Sequence, residues 1–198
     1  MANIRPFQGV PKGLVKIQGR PVIEYVLDAV PDTVSDIMIA VGDESADAYR
    51  EVCDRYMGTV LTTPMNDVDM VEQLRKPLEN THHSSLLVLP CDAPLITVQV
   101  TSFLLDLTRR FTAAISREPG GPPSYMPSSY QVKPLLEAMH SHSELGMDEL
   151  LRKMRNVLYL SRQSFRVFDD KLRFTQRINS PADITRAERV LRSMRQQD

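Results

Sequence analysis

The chain has 198 residues, with 24 Lys and Arg against 25 Asp and Glu, 42% hydrophobic residues and a mean hydropathy of −0.25; this composition fits one globular domain with a sizeable core and excludes disordered, collagenous and disulfide-scaffold classes. A formal net charge of −1 and a pI near 6.4 exclude the basic balance of a general nucleic-acid binder, and no apolar run approaches the roughly 20 residues that span a bilayer. Cys53 and Cys91 form no metal or redox spacing and no apolar signal segment opens the sequence, so a reducing cytoplasm is the expected setting.

Apolar, β-branched runs alternate with segments of helical period, the pattern of an α/β sheet with crossover helices. Residues 36–42 read as a buried strand ending in Gly42. Residues 45–57 read as a helix with Ser45 as N-cap and Ala48, Val52 and Tyr56 on one face. A short strand is expected over 59–62 and an amphipathic helix over 67–79. Residues 85–89 form the most continuous apolar run, expected to be a central strand buried on both faces. A helix over 97–110 and a strand over 112–116 follow. Residues 118–127, rich in Pro and Gly, break every regular pattern and read as a functional loop. Helices are expected over 131–140 and 147–154, and strands over 156–160 and 172–178. The last helix opens with Ser180, Pro181 and Asp183, close to a capping box. Too little chain follows the 118–127 break for an independent core, so residues 1–198 are expected to form a single domain.

Ligands of open α/β sheets collect beyond the carboxyl ends of the strands, which points to Pro90-Cys91-Asp92-Ala93-Pro94. An Asp there is either a turn residue or a ligand for Mg²⁺, which takes one or two protein carboxylates and leaves its other positions to phosphate and water. Gly9 and Lys12 carry a second pattern: glycine lets backbone approach phosphate, and lysine adds a point charge, although on spacing alone a solvated lysine is the better reading. Asn179, before the last helix, is a turn former whose amide also suits a metal or phosphate shell. Asp67 and Asp69 stand near a helix start, where acids favour the positive end of the dipole. His140 and His142 lie two apart, a spacing that does not face one side of a helix, and no carboxylate or Cys completes a metal motif with them or with His82-His83. From residue 152 onward there are twelve Lys and Arg against five Asp and Glu, either a solvated basic face or an attraction for a polyanion.

Three segments in the same order resemble the MobA-like nucleotidyltransferases. Residues 12–26, beginning Lys12-Gly13-Leu14-Val15, look like the stretch after the family's glycine-rich loop. Residues 87–94 resemble its metal-binding strand end. Residues 177–188, Arg177-Ile178-Asn179-Ser180-Pro181-Ala182-Asp183 onward, are similar to its closing "N-T-P-x-D-L-x-x-A-E" element. The resemblance implies a Rossmann-like three-layer α/β/α domain with a mostly parallel sheet, which binds a nucleoside triphosphate, GTP by preference, with Mg²⁺. It implies that Lys12 and Asp92 are catalytic, that Gly9, Lys12 and Asp67 bind the nucleotide, and that Asp92 and Asn179 serve the metal. The implied reaction moves a nucleoside monophosphate to a phosphorylated cofactor such as molybdopterin and releases pyrophosphate. Guanylation of cobinamide phosphate, or a diverged binding protein without turnover, are the alternatives.

The chain departs from that pattern in two places. Only Gly9 and Lys12 keep the spacing of the glycine-rich loop, with no strand and no glycine pair ahead of them. Residues 67–72 replace the family's "G-P-L-A-G" element. The expectation is a sheet lacking its opening strand, beside residues 85–89, through a truncated start or through divergence.

Overall fold

In the computed structural model, residues 9–65, 69–118 and 120–194 are described. A 3-10 turn, Lys12–Leu14, leads to two short antiparallel strands, β1 (Lys16–Ile17) and β2 (Arg20–Pro21), and then to α1 (Val22–Leu27). All six residues of α1 are buried, and they serve three separate core clusters. A helix this short is held by packing on every side rather than by its own hydrogen bonds. β3 (Met38–Val41) and β4 (Thr59–Thr62) pair in parallel around the crossover α2 (Ala46–Arg55), and α3 (Met70–Asn80) follows.

β5 (Ser85–Val88), α4 (Val98–Leu107), β6 (Ala113–Arg117), β7 (Pro123–Gln131), α5 (Val132–Ser141), α6 (Met147–Lys153), β8 (Val157–Ser161) and α7 (Pro181–Met194) complete the chain. The four-stranded sheet has the order β5-β7-β6-β8; β6 and β8 are parallel, whereas β7 runs antiparallel to both of its neighbours. Along β6 the side chains alternate by face. Ala113 and Ile115 pack with α3, α5 and α6, while Ala114 packs with Val26, Val100, Leu104, Phe165 and Phe174. Helices therefore cover both faces, giving the expected α/β/α layers.

Three expectations need correction. The 118–127 break is in part a strand: β7 begins at Pro123 and pairs with both β5 and β6. Residues 172–178 form no strand. Leu172 is left-handed at φ +51°, a 3-10 turn spans Arg173–Thr175, and Asp169 Oδ2 accepts the Phe174 N–H at 2.9 Å, holding Phe174 in the core. Residues 85–88 do form a strand, but all four are only half-buried, since β5 has β7 on one edge and a groove on the other. That groove, of about 740 Å³, runs between β3 and β5 and ends at Lys12 and Asp92.

Candidate active site

The strand end after β5 turns through Pro90 and Cys91 and buries Asp92 to 3% exposure. The Ile178 N–H donates to the Asp92 carbonyl at 2.9 Å, which fastens the segment before α7 to this turn although the two are far apart in sequence. Arg177 and Asn179, on either side of Ile178, both reach the site. The Arg177 Nε hydrogen-bonds Asp92 Oδ1. Lys12 enters from the 3-10 turn: its Nζ donates to Asn179 Oδ1 at 2.6 Å and lies 3.8 Å from Asp92 Oδ2.

Gly13 makes this approach possible. A Cβ at that position would lie 2.7 Å from Tyr49 Oη and 3.2 Å from Cys91 Cβ, so only glycine lets the turn press against the residue next to Asp92. Burial, with the neighbouring Cys91 and the Asp92 charge, pushes the Tyr49 phenol well above its ordinary range, so it stays neutral beneath the turn.

Below Asn179, α7 starts with the reciprocal cap that the sequence announces. Ser180 Oγ accepts the Asp183 N–H at 3.3 Å and donates to Asp183 Oδ2 at 2.8 Å, and the Asn179 N–H reaches the same carboxylate at 3.1 Å. Burial opposes ionisation of Asp183, but these hydrogen bonds and Arg186 outweigh it and hold its pKa below the ordinary carboxylate value. The cap thus fixes the backbone that carries Asn179.

Of the residues picked out in sequence, the structure brings together Lys12, Asp92 and Asn179. Gly9 is exposed at φ +81°, a conformation suited to glycine, three residues before Lys12. Asp67 lies outside the described residues. Its neighbour Asp69 is a structural residue: its Oδ1 accepts the N–H of Val71 and of Met147, both at 2.9 Å, tying the starts of α3 and α6 together. His83 pairs with Asp36 at 2.6 Å, and among the described residues no group of three His, Cys, Asp or Glu side chains could hold a metal. Arg177 joins the site without a role in the sequence analysis; its position two residues before Asn179 is the available signal.

Asp92 and Asn179 present hard oxygen atoms, the donor type that Mg²⁺ prefers, and a lone buried carboxylate suits a cation held largely by substrate phosphates. With Lys12 and Arg177 beside them, the cluster can receive a polyphosphate–cation pair at the mouth of the β3–β5 groove.

Residues 5–157 match the MobA-like NTP transferase domain. The chain belongs to this family. A molybdenum cofactor guanylyltransferase of Pseudomonas putida is 30% identical over 146 residues, which cover 72% of this chain and 74% of that protein. A protein of Methanothermobacter thermautotrophicus named "Probable molybdenum cofactor guanylyltransferase" is 27% identical over 81% of this chain and 87% of its own length. Among solved structures, molybdopterin-guanine dinucleotide biosynthesis protein A from Archaeoglobus fulgidus shares the fold with a TM-score of 0.71, covering 94% of this chain and 93% of its own at 22% identity. No described helix of the MobA-like chain is long and apolar enough to cross a membrane.

Proposed function

We propose that this MobA-like protein is a cytoplasmic nucleotidyltransferase that moves GMP from GTP to a phosphorylated cofactor of the molybdopterin type. The observation that carries the reading is the meeting of Lys12, Asp92 and Asn179, from three distant segments, at the strand end of a MobA-like domain. The acceptor phosphate is already an anion at neutral pH. Its oxygen attacks the α-phosphorus, the new O–P bond forms in line as the bond to the β-phosphate oxygen breaks, and pyrophosphate leaves with the electron pair. No general base is needed, so catalysis rests on charge neutralisation and alignment.

Lys12 supplies a fixed positive charge to the triphosphate, and Asn179 holds the Lys12 ammonium at 2.6 Å so that it points into the site. Asp92 and Asn179 are the residues that would hold Mg²⁺ through side-chain oxygens, and the ion would supply charge neutralisation to the phosphates. Gly9 and Asp67 are assigned to the nucleotide. The chain functions as one domain over residues 1–198, and the groove between β3 and β5 is the place of an opening strand of the sheet.

The test is pyrophosphate release from GTP, with ATP and CTP as competitors, in the presence of Mg²⁺ and molybdopterin. GTP should be preferred, and Asp92→Asn should lower kcat by roughly two orders of magnitude or more, the scale of one lost electrostatic group in phosphoryl chemistry. Nucleotide binding without pyrophosphate release would instead favour a binding protein, the reading to which the Arg177 pairing with Asp92 lends its weight.

A further inference from the structure

The Asp92 side chain is 4% exposed, and each of its oxygens faces a cation. The two cations are not equivalent. Lys12 is committed to Asn179 at 2.6 Å and stands 3.8 Å from the carboxylate, whereas Arg177 hydrogen-bonds it directly. A buried carboxylate stripped of its counter-ion is strongly unfavourable, so the guanidinium both balances and orients the Asp92 side chain. A divalent cation bound by this carboxylate would have to share it with the guanidinium.

Arg177 is also built to leave. Its backbone is fixed by the Ile178 N–H bond to the Asp92 carbonyl, but its side chain is 27% exposed and lines the groove. Among the described residues only its Nε is engaged, so both terminal nitrogens are free to meet an anion. A planar guanidinium matches two phosphate oxygens, a match that a carboxylate held through Nε alone does not use.

We infer that Arg177 is a positioning residue that exchanges partners: it pairs with Asp92 and turns from it to the phosphates of an incoming triphosphate, which frees Asp92 for the divalent cation. This rests on the nucleotidyltransferase reading. Cation alone has to compete with the guanidinium, and triphosphate alone gains from it. By linkage, each ligand therefore favours entry of the other.

The opposite effect on two separate ligands is the signature. With the full chain, Mn²⁺ binding is read by the electron paramagnetic resonance of the free ion, and tripolyphosphate binding in EDTA is read by calorimetry. Arg177→Gln should bind Mn²⁺ alone roughly tenfold more tightly than the parent protein and tripolyphosphate roughly tenfold more weakly, the scale of one charge-assisted contact. Arg177→Lys, which keeps the charge and loses the fork, should fall between. A merely structural role weakens both ligands together, and that result, or unchanged Mn²⁺ affinity in both variants, overturns the proposal. If Arg177→Gln fails to melt cooperatively, the decision passes to Arg177→Lys. Should neither the parent nor any variant bind Mn²⁺ with tripolyphosphate present, the nucleotidyltransferase reading fails with it. Mn²⁺ binding that Asp92→Asn abolishes and both Arg177 variants leave unchanged removes the exchange alone.

Discussion

Lys12 shows how the structure revises an expectation at the scale of one residue. Read as an exposed lysine among glycines, it should add little to stability, yet its side chain is only 16% exposed and is held between Asn179 and Asp92. Lys12→Ala is therefore expected to weaken triphosphate binding by about 1.5–3 kcal/mol, the value of a hydrogen bond to a charged group. It should also cost on the order of 1 kcal/mol of fold stability, because Asp92 loses one of its two cations while keeping the closer one. Calorimetric titration with a GTP analogue and thermal melts separate the two losses. An affinity loss no larger than the stability loss would make Lys12 a structural residue. Arg177 escaped the sequence reading for a related reason: a side chain whose role is to neutralise another group announces itself only once that partner is in view.

At the scale of the element, the start of α7 supports a prediction with a defined pH window. Asp183 has its pKa lowered on folding, so its stabilisation is complete above the unfolded carboxyl value of about 3.9 and is lost as pH falls from there through the folded value. Asp183→Asn should cost about 1 kcal/mol at pH 7, the scale of a lost cap, and the gap between the two proteins should close in acid. Melting curves from pH 7 to pH 3 measure this, and a gap that stays constant with pH would show that the carboxylate charge plays no part. The capping box was legible because it is local. Other elements were not. β7 hides in a Pro- and Ser-rich segment because its buried hydroxyls are satisfied elsewhere: Ser129 Oγ donates to the Leu104 carbonyl and Ser128 Oγ to the Tyr125 carbonyl, both at 2.5 Å, so a polar sequence sits in the middle of a sheet. Residues 172–178 mislead in the other direction. Leu172, Phe174 and Ile178 alternate like a strand, but Asp169 and the Asp92 carbonyl take the backbone N–H groups of Phe174 and Ile178.

At the scale of the whole molecule, the described strands β3–β4 and β5–β8 form two separate sheets. β3 has β4 on one edge and β5 has β7 on one edge, and the groove between them is lined by Ile39 and Val41 on one side and Leu87 and Leu89 on the other, with Val26 and Leu27 of α1 along it. Both strands run from the same end, where His83 touches Asp36 at 2.6 Å, to the end where Lys12 meets Asp92. Two strands flanking a third lie roughly 9.5 Å apart, a span that a touching His and Asp pair can bridge. A strand placed there, running the same way and continuing through Gly9 into α1 and then β3, forms a βαβ unit, which closes readily in its right-handed form. An extended, uncharged, β-branched segment joined ahead of Gly9 by a glycine-rich link should therefore pair with the groove-facing edges of β3 and β5. Hydrogen exchange should slow at Met38–Val41 and Ser85–Val88, and the melting temperature should rise. The same segment with a proline at its centre should do none of this, because proline cannot donate to a ladder. Equal exchange with both segments would show that the groove is not a strand position. The pairing segment should also tighten triphosphate binding, and the proline-containing one should not, since a paired strand fixes the turn that carries Lys12.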